Sequence, residues 1–150
     1  MRDSIIRKSS AWDAARIEQF LLDSLIPVRL ACLSRADEPL ICSLWYCFDD
    51  GAIWCATQKN AHIVAMLERN SSCAFEVAGD SMPYRGVRGQ GRATLSTTDG
   101  DDVLLRLIDR YLGTRESEFA RWLITRQAQE VSIRIEPEWV TSWDFGARMP

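Results

Sequence analysis

A chain of 150 residues accommodates one hydrophobic core and is short for two, so a single domain over residues 1–150 is expected. Its 47% hydrophobic and 26% charged residues are ordinary for a globular protein and exclude a disordered chain, and its apolar runs are too short to span a bilayer. A net charge of −3 argues against a nucleic-acid partner.

The first ten residues, Met1–Ser10, carry basic groups but no apolar signal core, so a cytoplasmic location with no membrane partner is expected. Residues 13–25 place Ile17, Phe20, Leu21 and Leu25 at helical spacing. Ser10 is the expected cap, Asp13 completes a capping box, and Pro27 stops the helix. Residues 28–34 and 39–48 are rich in strand formers, and the short polar stretch between them predicts a hairpin. Asp49-Asp50-Gly51 is a turn signal leading into a strand over 52–57, and the three runs together read as an antiparallel meander. A short helix follows over 60–70, with Ile63, Met66, Leu67 and Asn70 on one face.

Strand signals return at 73–78 and 85–97, around a loop at Gly79–Pro83. The helix over 101–112 opens on Asp99, Asp101 and Asp102, where the helix dipole favours negative charge, and Gly113 is placed to stop it. Ser117 can cap a further helix carrying Phe119, Trp122 and Leu123. The chain closes on the alternating Val131, Ile133 and Ile135, followed by a Trp-rich segment. Strands come in consecutive runs rather than alternating with helices. That pattern predicts an α+β fold: an antiparallel, six-stranded barrel with peripheral helices, closed enough to hide its edges.

The five cysteines, Cys32, Cys42, Cys47, Cys55 and Cys73, have no zinc-like spacing and read as buried free thiols. His62 is the only histidine, which excludes a metal cluster built on histidines.

Two segments carry chemistry. In Arg85–Ala93, glycines at 86, 89 and 91 interrupt a strand. They mark either a bulge or the close approach of a ligand or another backbone, while Arg88, Gln90 and Arg92 alternate onto one face. The second segment runs from Ile53 through Ala56, Thr57 and Lys59 into a helix start, where free N–H groups suit a phosphate. Trp139 and Trp143 near the end are either core residues or aromatic walls for a planar ligand.

Taken together, Leu30–Leu33, Ser43–Tyr46, Asp49-Asp50-Gly51, the strand IWCAT, a helix ending in Leu67–Asn70, and RGVRGQGRA resemble the pyridoxamine 5′-phosphate oxidase-like, FMN-binding split-barrel family over roughly residues 25–145. The resemblance implies a Greek-key split barrel and a homodimer with two flavin sites at its interface. Ser43, Leu44 and Trp45 would run past the isoalloxazine ring. Ala56, Thr57 and Lys59 would lie near the ribityl phosphate, Gln90 would approach from the partner, and Trp143 would lie near the site. The six tryptophans, many for so short a chain to hide, point to a dimer as well.

The chain departs from the family pattern at Ala61-His62-Ile63, where a Ser-Arg-Lys-like cluster is common. Lys59, His62 and Arg88 remain as cations for the phosphate, and a deazaflavin coenzyme becomes an alternative to FMN. The expected activity is flavin-mediated electron or hydride transfer, with the cofactor rather than any side chain supplying the chemistry. The alternatives are a split barrel that binds flavin, deazaflavin or haem without turnover, and a structural dimer with an empty pocket.

Overall fold

The computed structural model describes residues 1–149. It shows four helices, α1 (Ala14–Asp23), α2 (His62–Arg69), α3 (Gly100–Leu112) and α4 (Glu118–Ile124). Seven strands accompany them: β1 (Val28–Leu33), β2 (Pro39–Leu44), β3 (Cys47–Asp49), β4 (Ala52–Gln58), β5 (Ser72–Ala78), β6 (Arg85–Ser96) and β7 (Glu130–Asp144). The strands form one antiparallel sheet in the order β2-β1-β5-β6-β7-β4-β3.

The expected barrel is present, with seven strands in place of six. The run over 39–48 breaks at Trp45-Tyr46, and its halves lie at opposite ends of the strand order. Only those two residues join the ends, so the sheet must curl round on itself. The predicted meander is therefore split, because β2 pairs with β1 while β3 pairs with β4. Distant contacts impose the break. The Tyr46 hydroxyl donates to the Leu21 carbonyl at 2.8 Å, its amide donates to the Tyr111 hydroxyl at 3.3 Å, and the Trp45 ring stacks on Tyr111 at 4.8 Å.

Inside the curl, Leu30, Ile53, Cys55, Phe75, Val77, Val87, Ile133 and Ile135 are buried, and α1 and α2 cover the interior with Ile17, Leu21, Ile63 and Leu67. Helix α3 packs on the outer face of β4 and β7. There Val103 and Leu107 meet Trp54 and Ala56, and Leu104 and Ile108 meet Ala120 of α4.

Local signals explain most helix ends. The Asp13 carboxylate accepts from the Arg16 amide at 2.8 Å and is the cap of α1. Ser10, the expected cap, is instead engaged with Ser142 of β7 at 2.8 Å. Gly113 adopts φ +67° and ends α3, and the Ser117 hydroxyl accepts from the Ala120 amide at the start of α4. No helix among the described residues is long and apolar enough to cross a membrane.

Candidate functional site

The sequence-predicted site residues fall in three places. Ser43, Leu44 and Trp45, at the end of β2, meet Ala56 and Thr57 of β4 in one cleft of about 270 Å³. Lys59 and His62 stand exposed at the turn from β4 into α2. Arg88 and Gln90 on β6, with Trp143 on β7, lie on the outer face of the sheet.

Strand register positions the cleft. Thr57 pairs with Val131 and Gln58 with Glu130, so the end of β4 is held against the start of β7. Helices α3 and α4 roof this end with Leu104, Leu107, Phe119, Trp122 and Leu123. Trp45 meets Phe119 edge-on at 6.2 Å, and Phe119 stacks on Trp122 at 5.8 Å. Phe119 and Trp122 are each 50% exposed, an unusual display for large rings.

At the closed end lies Glu130, only 8% exposed. One carboxylate oxygen accepts from the Gln58 side chain, and the Arg126 guanidinium donates to Gln58 at 3.2 Å. Burial pushes the Glu130 carboxyl up, against the opposing pull of the Gln58 hydrogen bond and the Arg126 charge. Sequence reading placed Phe119 and Trp122 on a helix but did not bring them to the cleft, and it passed over Arg126 and Glu130. Phe119 and Trp122 stand at i, i+3 on α4 and so share one face, which was the available signal for the two rings.

At the β4–α2 turn, the Lys59 amide donates to the Gln129 carbonyl at 2.8 Å, which fixes the backbone where the lysine side chain leaves it. Ala61 precedes α2 and offers no side-chain cap; the Val64 amide donates to the Ala61 carbonyl at 3.0 Å, and the N–H groups of His62 and Ile63 remain available to an anion or to water.

The outer face carries two parallel rows of side chains. Ile41, Ala31, Ala74 and Gln90 lie in register across β2, β1, β5 and β6, and Ser43, Arg29, Glu76 and Arg88 form the row beside them. The small alanines leave a groove of about 320 Å³ that ends at Trp139. The Trp139 indole donates to the Gln90 side-chain oxygen at 3.0 Å, and Arg88 lies 5.5 Å over the Trp143 ring. Gln90 is three strands from β2, or about 14 Å at ~4.8 Å per strand. Within one chain, then, Gln90 does not reach the Ser43–Trp45 segment.

The glycine cluster on β6 has an internal explanation. A Cβ at Gly86 would meet the Trp143 ring, one at Gly89 the Trp139 carbonyl and the Phe75 ring, and one at Gly91 the Glu136 carbonyl. A register shift at Gln90/Gly91, where Gln90 pairs with Trp139 and Gly91 with Pro137, leaves Glu138 as the extra residue of a bulge. The room expected there for a flat ring or a partner's backbone is taken by the chain's own β5 and β7.

A protein-family model described as pyridoxamine 5′-phosphate oxidase matches residues 14–144. Among solved structures, a conserved hypothetical protein from Mycobacterium tuberculosis has a TM-score of 0.80 at 24% identity, covering 96% of this chain and 92% of its own. A structure described as an F420 reductase has a TM-score of 0.69 at 20% identity, with 82% and 94% covered. A FAD-binding protein from Mesorhizobium loti has a TM-score of 0.65 at 16% identity, with 87% and 93% covered. At these identities the likeness is one of fold. No curated protein matches the chain.

Proposed function

Because the chain belongs to the pyridoxamine 5′-phosphate oxidase family, we propose that it is a homodimeric, FMN-binding oxidoreductase, with a deazaflavin coenzyme as the alternative cofactor. The carrying observation is the convergence of Ser43–Trp45, Ala56 and Thr57 on one cleft; past Gln58, the last residue of β4, the chain turns through an exposed Lys59 into the uncapped helix start at His62. That arrangement offers an apolar wall for a planar ring and a cationic, N–H-rich end for a phosphate.

When bound, the cofactor supplies the electron or hydride transfer. The chain's own residues bind and orient it. Trp45, fixed by its stack on Tyr111, sets one wall, and helices α3 and α4 keep water from the closed end. Lys59 and the amides of His62 and Ile63 hold the phosphate, and the shortage of cations at Ala61-His62-Ile63 keeps the deazaflavin alternative open.

A second copy completes the site. The trough over Ala31 and Ala74, beside an Ile41 that is 68% exposed, is a surface for that copy, and it brings the partner's Gln90 and Trp143 toward Ser43–Trp45. The five free thiols suit a reducing, cytoplasmic setting.

The visible spectrum of the purified protein, before and after saturation with FMN, tests this reading. A bound flavin band supports it. A Soret band favours a haem-binding split barrel, and a colourless protein that takes up neither flavin nor deazaflavin favours a structural dimer.

A further inference from the structure

The α4 cleft contains more than a cofactor wall needs. At about 270 Å³ it falls below the ~300–1,000 Å³ of pockets that enclose drug-sized ligands. A whole flavin nucleotide therefore extends beyond it. The space beneath α4 is left for a smaller molecule.

Its walls state what that molecule is. Trp45, Phe119 and Trp122 present ring faces and edges, and Leu104, Leu107 and Leu123 complete an apolar lining. The end is closed by a carboxyl group more than nine-tenths buried. One Glu130 oxygen is held by Gln58, and the other has no hydrogen-bond partner among the described residues, although it is not sealed from the cleft. That oxygen is open to water in the empty cleft, and a ligand that displaces the water keeps it satisfied only by bringing a donor of its own. Arg126, held by Gln58 and lying 4.8 Å over the Trp122 ring, balances the Glu130 charge. Neither a carboxylate nor an ammonium is called for.

We infer that this cleft binds a neutral, bicyclic aromatic heterocycle bearing a ring N–H, stacked among Trp45, Phe119 and Trp122 and donating to Glu130. This names the substrate class for the site proposed above and rests on that reading.

The test uses the full chain, calorimetry, and two probes of equal ring size. Indole carries the ring N–H and 1-methylindole lacks it. The expected result is that indole binds at least about tenfold more tightly, the worth of one hydrogen bond to a charged group. Glu130→Met removes that preference, and Trp122→Ala weakens both probes alike by several-fold. The wild type provides a check that needs no variant. Burial pushes the Glu130 carboxyl up while both probes stay neutral in mild acid, so protonating Glu130 lowers the indole preference as pH falls. The charged group facing Glu130 is Arg126; Gln58 from β4 and Gly100 at the start of α3 bring no charge, and Asp99 is turned to the Ser132 hydroxyl at 2.6 Å.

Equal affinities for the two probes, a preference that survives Glu130→Met and acid, or no binding of either probe overturns the inference. The last result also covers a cleft closed by a second copy. A flavin titration run in parallel separates the two readings. Flavin binding without indole discrimination overturns only the substrate class, and the reverse overturns only the cofactor reading.

Discussion

The indole N–H of Trp139 on β7 donates to the side-chain oxygen of Gln90 on β6, across the register shift where Glu138 bulges out. The bond leaves the Gln90 amide N–H₂ facing outward as a fixed donor rather than a free rotor. Arg7, 4.8 Å over the Trp139 ring, holds the indole from the other side. If Gln90 reaches a partner's cofactor, its orientation matters as much as its presence. Trp139→Phe is therefore expected to weaken cofactor binding several-fold while leaving the dimer intact, as measured by titration alongside sedimentation.

Ile41 stands 68% exposed at the edge strand β2, in the same row as Ala31, Ala74 and Gln90. Burying such a side chain against a second copy contributes about 1.5–3 kcal/mol, and a carboxylate in its place would be desolvated without a partner. Sedimentation of Ile41→Asp should show monomers at micromolar concentration where the wild type is a dimer. A wild type that sediments as a monomer would remove the composite site.

Arg110 fastens α1 to the rest of the fold. Its guanidinium donates to the carbonyls of Leu21 at 2.9 Å, Leu22 at 2.7 Å and Ser24 at 2.6 Å, while lying over the Tyr46 and Tyr111 rings. These are the orphan carbonyls of a helix end. Arg110→Met should cost about 2–3 kcal/mol, lowering Tm by roughly 5–10 °C. Tyr46→Phe, which gives up one hydroxyl bond to Leu21, should cost about 1 kcal/mol.

Stability should fall in alkali. Burial pushes the Cys42 thiol up to about 11 and the Cys73 thiol up to about 12, from an ordinary 9.0, and Cys55 is raised well above it. The fold favours the protonated thiol, so this contribution is complete below pH 9.0 and is lost as pH rises toward 12. Denaturant midpoints should hold from about pH 7 to about pH 9 and fall steadily as pH rises toward 12. A flat profile would mean that the thiols are not held neutral by burial.

Where local signals decided the structure, they were visible in the sequence. The alternation of Arg88, Gln90 and Arg92 survives as the exposed face of β6, and Gly113 ends α3 with the positive φ that suits glycine. Where distant contacts decided it, they were not. SLWYCF reads as continuous strand, yet it breaks because Trp45 and Tyr46 are claimed by Tyr111 and Leu21. The β6 glycines read equally as a ligand approach or a bulge, and only the position of β7 decides between the two. Glu130 carries no local mark of burial. It is enclosed because Gly100, at the start of α3, lies against its carbonyl and Gln58 sits across the ladder.

The most direct test of the cofactor reading is a titration of the wild type and Lys59→Ala with FMN and with a deazaflavin. Lys59 is exposed beside the uncapped start of α2, where a phosphate would meet one ammonium and the amides of His62 and Ile63. The expected result is that the wild type binds one of the two cofactors and that Lys59→Ala weakens it by roughly tenfold or more, the worth of one charge-assisted bond. Equal binding by the variant would place the phosphate elsewhere, and a wild type that binds neither cofactor would contradict the account.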